Sequence, residues 1–363
     1  MVQVAEAVIT SEKRIHESEE KDARPALRCD LSVQVHPHED DAFRETLKWA
    51  TSFGLIQPGS KAYAKVQRAR FSMLIASTYP YVTRDQLQLM SDFALWLFAY
   101  DDASDNLKII TDTSRLAALV ELEDRMIGLL QNRQGVCVAE QSYACLRACK
   151  TWPAPQPVLN IMFEEYGTDC VLIETLQDLM VRFTSWASEA WLARWTQHME
   201  EYLLATRFER SFHLRGETMT PNEYIPRRMD FSAVNPCLDM TGAFLKLDCE
   251  MLSNNACIAE LEKLCNKHIS WVNDLYGLKR DVSDGTNSNL VLCILHHTKN
   301  AGAFTVQDAS DIVVQSTNFV LEEFVDLSAQ VPLGLESYVH AMEFWMSGSL
   351  FWHQASARYN SKE

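Results

Sequence analysis

Two acidic clusters carry side chains that could do chemistry: Asp101-Asp102-Ala103-Ser104-Asp105 and Asn273-Asp274-Leu275-Tyr276-Gly277-Leu278-Lys279-Arg280-Asp281. Each closes a strongly apolar helical run. Carboxylates at the end of a buried helix cost free energy unless something neutralises them, and a hard divalent cation with oxygen ligands is the natural partner. On a helix, Asp101 and Asp105 share a face about 6 Å apart along the axis, while Asp102 points elsewhere, toward a basic partner. Asn273, Gly277 and Asp281 repeat every four residues and form a second one-sided stripe. Two such stripes across a cavity could hold Mg²⁺ with coordination sites left for water and phosphate oxygens. Taken singly, each cluster also reads as a solvated helix cap. The first lacks the glycine and alternating aspartates of a calcium loop.

The elements that must position these groups read as helices throughout. Apolar residues recur at three- and four-residue spacing over 41–53, 65–77, 84–100, 114–131, 157–195, 198–215, 237–253, 256–281, 306–327 and 335–359. Breakers fall between them, at Gln57-Pro58-Gly59, Tyr79-Pro80, Trp152-Pro153-Ala154-Pro155, Thr220-Pro221 and Asp284-Gly285. Alternating strand patterns are absent from the sequence. The reading is a polar, mobile N-terminal tail over 1–28 and one all-α domain over 29–363, a bundle around a central cavity.

The 363 residues are 47% hydrophobic with a net charge of −16, which argues against nucleic acid or an anionic membrane as partner. The ten cysteines follow helical text rather than zinc-ligand spacing, so free thiols in a reducing, cytoplasmic setting are expected. The N-terminal residues are too polar for a signal peptide, and no apolar run reaches membrane-spanning length.

The chain resembles the class I terpene synthases, specifically sesquiterpene cyclases of microbial, fungal type, over nearly all of 36–359. The resemblance rests on the DDxxD-like Asp101–Asp105, on the N-D-x-x-S/T-x-x-x-E/D-like Asn273, Gly277 and Asp281, and on the C-terminal Arg358-Tyr359 pair. It implies the class I terpenoid synthase fold and three Mg²⁺ ions assembled with a substrate diphosphate. The ligands would be Asp101 and Asp105 on one side, and Asn273, position 277 and Asp281 on the other. Gly277 stands where Ser or Thr is usual, which removes one side-chain ligand.

The resemblance further assigns Arg280, Arg358 and Tyr359 to the diphosphate. It assigns a sensing role to Arg227, 46 residues before Asn273, with Arg228 as the adjacent alternative. Asp230 would link that sensor to a helix break ending at Pro236, where Phe231, Ser232 or Ala233 would help trigger ionisation. Phe71, Phe93, Phe98, Trp345 and Trp352 are candidates for an apolar cavity wall that stabilises carbocations through ring faces; each is equally at home in an ordinary core.

The implied reaction is ionisation and cyclisation of farnesyl diphosphate to a cyclic sesquiterpene, hydrocarbon or alcohol. Three other readings compete: a diterpene synthase acting on geranylgeranyl diphosphate, a chain-elongating prenyltransferase, and a non-catalytic helical binding protein. The expected partner is an isoprenoid diphosphate, and a homodimer is compatible with this reading.

Overall fold

The computed structural model describes residues 26–104, 111–131, 169–298 and 304–360. All regular structure among them is helical. In chain order the helices are α1 (Glu39–Phe53), α2 (Lys61–Ala69), α3 (Phe71–Thr78), α4 (Arg84–Ser104), α5 (Thr113–Gln131), α6 (Asp169–Phe183) and α7 (Glu189–Arg215). There follow α8 (Pro221–Arg228), α9 (Val234–Phe244), α10 (Cys249–Ser253), α11 (Ala256–Asp284), α12 (Leu290–His297), α13 (Val306–Ser328), α14 (Glu336–Ala355) and α15 (Ala357–Asn360).

Several expected helices are split by local chemistry that periodicity does not register. The 65–77 run breaks at Arg70, which is left-handed (φ 50°) and tied to Glu39 and Asp40 of α1. The described part of 157–195 breaks before Glu189, where Ser188 caps α7 by accepting from Trp191 N. The 237–253 run divides where Lys246 turns left-handed and Asp248 caps α10. Helices α8 and α12, which the periodicity did not mark, are each opened by a polar cap. Thr220 and Glu223 form a capping box on α8, and Asn289 accepts from Val291 N on α12.

Packing arranges these helices around an apolar interior. Helix α11 packs on α13 and α14, α14 on α3, α3 on α4, and α7 on α9. The α3–α14 crossing is close enough that a Cβ at Gly348 would sit 2.3 Å from the Ser77 carbonyl oxygen. Ser77 Oγ donates to the Gly348 carbonyl across the same contact (3.1 Å). Any larger residue at 348 would push apart two helices that line the site. Two buried polar clusters brace the bundle. Glu123 of α5 accepts from Arg207 and Arg210 of α7 and from Tyr100 of α4. Asp239 of α9 is held by Arg194 and His198 of α7. Each carboxylate is fully buried and paired, as burial requires.

Cys29, Cys237, Cys249, Cys257, Cys265 and Cys293 are free thiols. No helix of the described residues is long and apolar enough to cross a membrane.

Candidate active site

A cavity of about 140 Å³ lies between α3, α4, α7, α9, α11 and α14. A wider groove of about 610 Å³ between α5, α7 and α10 holds none of the candidate residues and is an open surface depression. The smaller cavity is the one with chemistry. One end is polar, carrying Asp101, Arg228 and Asn273; the rest is apolar and aromatic, with Leu74, Phe98, Phe231, Trp345 and Trp352.

The last turn of α4 presents Asp101 to this cavity. Burial and the neighbouring Asp102 carboxylate push its pKa upward; Arg280, Arg358 and Arg228 oppose that shift. The charges of three guanidinium groups, on three helices, thus act on one carboxylate. Asp102 turns away, as its helical position requires, and pairs with Lys65 of α2 (2.6 Å) and Arg358 of α15 (3.3 Å). Asp105 lies outside the described residues.

On α11, residues 266, 270, 273, 277 and 281 form one stripe, because steps of three and four keep to one face. Asn273 Oδ1 accepts from Arg228 Nη2 (3.0 Å), while its Nδ2 contacts His353 Nε2 (3.2 Å) and Tyr359 Oη (3.0 Å). The His353 Nδ1–H donates to the Ser349 carbonyl (2.7 Å), leaving Nε2 to accept from Asn273. Burial drives the His353 pKa down to about 3, so this ring is neutral. Asp281 accepts from Asn289 Nδ2 (2.8 Å) and pairs with Arg280 (3.3 Å). Burial nonetheless pushes its pKa up to about 6. A Cβ at Gly277 would lie 3.2 Å from Asp281 Oδ2, so the carboxylate hangs over the space that a larger side chain would need.

Asp274 points away from the stripe into the core. There it accepts from Tyr224 Oη (3.0 Å), Leu290 N (3.1 Å) and Arg228 Nε (3.0 Å). Arg228 therefore bridges Asp274 and Asn273, using two edges of its planar fork.

Arg227, the expected sensor, is placed outside the cavity. It is exposed, with its guanidinium over the Phe208 ring at 3.9 Å. The inward position belongs to Arg228, because a one-residue step on a helix turns a side chain by about 100°. Asp230 is also exposed and does not line the cavity, whereas Phe231, Ser232 and Ala233 all do. Ala233 is left-handed (φ 58°), an uncommon conformation for a residue with a Cβ.

Of the expected aromatic wall, Phe98, Trp345 and Trp352 line the cavity. Phe71 stands behind it, stacked on Phe98 at 4.0 Å. Phe93 is not in the wall: it packs against Phe183 and Trp195 in the core, since its side of α4 faces α6 and α7. The Trp352 indole N–H donates to the carbonyls of Ala69 (2.9 Å) and Arg70 (3.2 Å), which fixes the plane of the ring.

Other cavity or near-cavity residues went unread in the sequence. Tyr202 of α7 and His353 of α14 line the wall. Glu209 of α7 has its pKa pushed up to about 7 by burial, against the pull of Arg228 and a hydrogen bond from Ser288. None of the three belongs to a spaced motif; only the adjacency of His353 to Trp352 was a signal.

Several guanidinium N–H groups at the polar end are buried without a hydrogen-bond partner: Arg358 Nε and Nη1, and Arg280 Nη1. The Arg358 side chain is only 3% exposed. Buried, unpaired cationic donors of this kind are costly and mark an anion site. No three His, Cys, Asp or Glu side chains among the described residues gather closely enough to hold a metal unaided. The available donors are hard oxygens split between α4 and α11, one of them an amide. That set suits Mg²⁺ shared with a phosphate ligand, not a closed protein cage.

Residues 92–322 match the family described as terpene synthase family 2, C-terminal metal binding. The chain belongs to the terpene synthase family. It is a class I terpene cyclase by that membership and by its all-α fold. Among curated relatives, the (+)-T-muurolol synthase of Roseiflexus castenholzii is 26% identical over 344 residues, spanning 94% of this chain and 95% of that protein. The alpha-muurolene synthase of the fungus Coprinopsis cinerea is 22% identical over 92% of this chain and 72% of that protein. Among solved structures, the linalool/nerolidol synthase of Streptomyces clavuligerus superposes with a TM-score of 0.69 at 18% identity, covering 90% of this chain and 99% of that one. The terpene synthase fold thus extends over almost the whole chain, beyond the matched metal-binding segment.

Proposed function

We propose that this terpene synthase ionises and cyclises farnesyl diphosphate in a Mg²⁺-dependent reaction, releasing diphosphate and a cyclic sesquiterpene. The observation that carries the proposal is that Arg228, Arg280 and Arg358 rest on Asn273, Asp281 and Asp102 of the two acidic clusters, with unpartnered buried N–H groups on two of the three arginines. The named activities of the (+)-T-muurolol and alpha-muurolene synthases support the choice of a C15 cyclisation. A single domain over 29–363, a cytoplasmic location and a homodimer belong to the same proposal.

Asp101, Asn273 and Asp281 would hold the metal, with Asp105 as the further α4 ligand and Gly277 offering no side chain. When bound, Mg²⁺, three ions in this reading, offsets diphosphate charge and makes it a better leaving group. Arg228, Arg280, Arg358 and Tyr359 donate hydrogen bonds to the departing diphosphate as its charge grows. Arg228 takes the place assigned to Arg227, and Asp230 has no part at the cavity.

Arg358 can offer Nε and Nη1 to phosphate oxygens while its Nη2 stays on Asp102, which Lys65 also pairs. The allylic cation left behind sits in an apolar pocket, where the faces of Phe98, Trp345 and Trp352 stabilise positive charge without attacking it. Phe231 closes the wall at the helix break. Exclusion of water by this wall protects the cation until ring closure and proton loss.

The test is incubation of the purified full-length chain with Mg²⁺ and geranyl, farnesyl or geranylgeranyl diphosphate, with gas chromatography and diphosphate assay. A cyclic C15 product that disappears in Asp101→Ala and Asn273→Ala, with helix content unchanged, is the expected result. Turnover of geranylgeranyl diphosphate alone would reassign the substrate. Chain elongation with isopentenyl diphosphate would make the protein a prenyltransferase. Absence of diphosphate release from all three would leave the binding-protein reading.

A further inference from the structure

We propose that Asn266 of α11 is a positioning residue that sets the conformation of the break between α8 and α9, and through it the cavity wall at Phe231 and the placement of Arg228. The inference rests on the catalytic reading of this cavity. Asn266 is fully buried and lies two helical turns before Asn273 on the same face of α11.

Its amide has two hydrogens and two lone pairs, and four partners meet them. Nδ2 donates to the Met229 carbonyl (3.0 Å) and to Asn235 Oδ1 (2.8 Å). Oδ1 accepts from Ser232 Oγ (2.9 Å) and Ser270 Oγ (2.9 Å). The Met229 carbonyl can only accept, which settles the orientation of the amide. Two of the four partners, Met229 and Ser232, belong to the break, and a third, Asn235, is the second residue of α9.

The break needs such a template. Its last residue, Ala233, holds a left-handed conformation at φ 58°, which is strained for a residue with a Cβ. A segment of this kind keeps one shape only if its surroundings over-determine it. Met229 directly follows Arg228, so fixing the Met229 carbonyl fixes the backbone from which Arg228 reaches Asn273. Phe231, two residues on, lies edge-on to Tyr224 (5.7 Å) and beneath the Arg228 guanidinium (5.2 Å). One buried amide on the metal-motif helix therefore ties the break to the metal stripe.

Asn266→Asp keeps the volume and the acceptor oxygen but replaces the donor facing Met229 with a second acceptor. Hydrogen exchange by mass spectrometry on the full chain should show at least tenfold faster exchange over residues 229–235, with α13 and α5 unchanged. Equal exchange in variant and parent overturns the proposal, whether or not the parent turns over substrate. In an active parent, Asn266→Asp should lower kcat at least tenfold and redistribute products. KM and the half-saturating Mg²⁺ concentration should stay within threefold, because Asp101, Asn273 and Asp281 are untouched.

Unchanged kcat and products, or a loss shared equally by kcat and Mg²⁺ dependence, also overturn it. Asn266→Ser, smaller and uncharged, guards against misfolding of the aspartate variant and should give the same pattern. A parent inactive on every isoprenoid diphosphate refutes the catalytic reading alone, since the exchange experiment still decides the role of Asn266 in the break.

Discussion

Arg228 donates to the Asn273 amide oxygen at 3.0 Å, so a base from the end of α8 rests on the first residue of the metal motif. The oxygen that a cation would use is the one that Arg228 occupies, and the same guanidinium also holds Asp274. In the proposed metal site, a cation ligated by Asn273 would have to displace Arg228 from this atom.

Arg228→Lys keeps the charge and loses the fork. Its kcat/KM for farnesyl diphosphate should fall ~100-fold, the usual scale for losing one transition-state donor. Arg227→Lys should stay within about threefold, as expected of an exposed charge. Arg228→Ala is less informative, because it leaves Asp274 buried without its cation and should cost ~3–5 kcal/mol of stability. Steady-state kinetics of the two lysine variants decides; the opposite ranking would return the sensing role to Arg227.

Trp352 contributes both a ring face and an indole N–H anchored on the α2–α3 break. Trp352→Phe keeps an aromatic face and loses the hydrogen bonds to Ala69 and Arg70. It should retain turnover with an altered product mixture and lose ~1–2 kcal/mol in urea unfolding. Trp352→Ala should lose ~3–5 kcal/mol by leaving a cavity. An identical product profile in the phenylalanine variant would show that ring orientation does not shape the cation.

Gly277 offers a direct test of the metal stripe. Gly277→Ser inserts an oxygen between Asn273 and Asp281, and a shift of a few tenths of an ångström by Asp281 makes room for it. The Mg²⁺ concentration for half-maximal diphosphate release should fall several-fold in the serine variant and not in Gly277→Ala. Equal behaviour of the two would mean that position 277 does not reach the ion.

His198 of α7 supplies a pH dependence remote from the site. Burial opposes its protonation, but the hydrogen bond to Asp239 (2.6 Å) and that carboxylate's charge outweigh it and raise the pKa. A raised folded-state pKa means that the contribution to stability is complete below the unfolded value of ~6.5 and is lost as pH rises through the folded value. His198→Gln should therefore be less stable than the parent near pH 6 and converge on it at higher pH. Parallel unfolding curves from pH 5.5 to 9 would remove His198 from this role.

The two acidic clusters, their helical settings and the C-terminal Arg358-Tyr359 pair were legible in the sequence, because residue type and a period of 3.6 determine which groups share a face. That period placed Asn273 and Asp281 on one stripe of α11 and turned Asp102 away from Asp101. It could not say which of two adjacent arginines faces inward at the end of a short helix whose phase is set by the Thr220 cap. Nor could it separate Phe98, at the cavity, from Phe93, five residues earlier and in the core, because both sit on a helix that is apolar nearly all round.

The break at Arg70 was invisible for a related reason, and the interruption read over 230–236 did not reveal that Ala233 is its left-handed residue and that α9 already begins at Val234. A left-handed residue with a Cβ is held by partners distant in the chain, Glu39 in one case and the Asn266 network in the other. The sequence by itself determined an all-α chain bearing two oxygen-rich stripes. Tertiary packing alone decided that Arg228 reaches Asn273 and Arg358 reaches Asp102 from other helices, because long-range contacts, not local periodicity, set where the ends of helices converge.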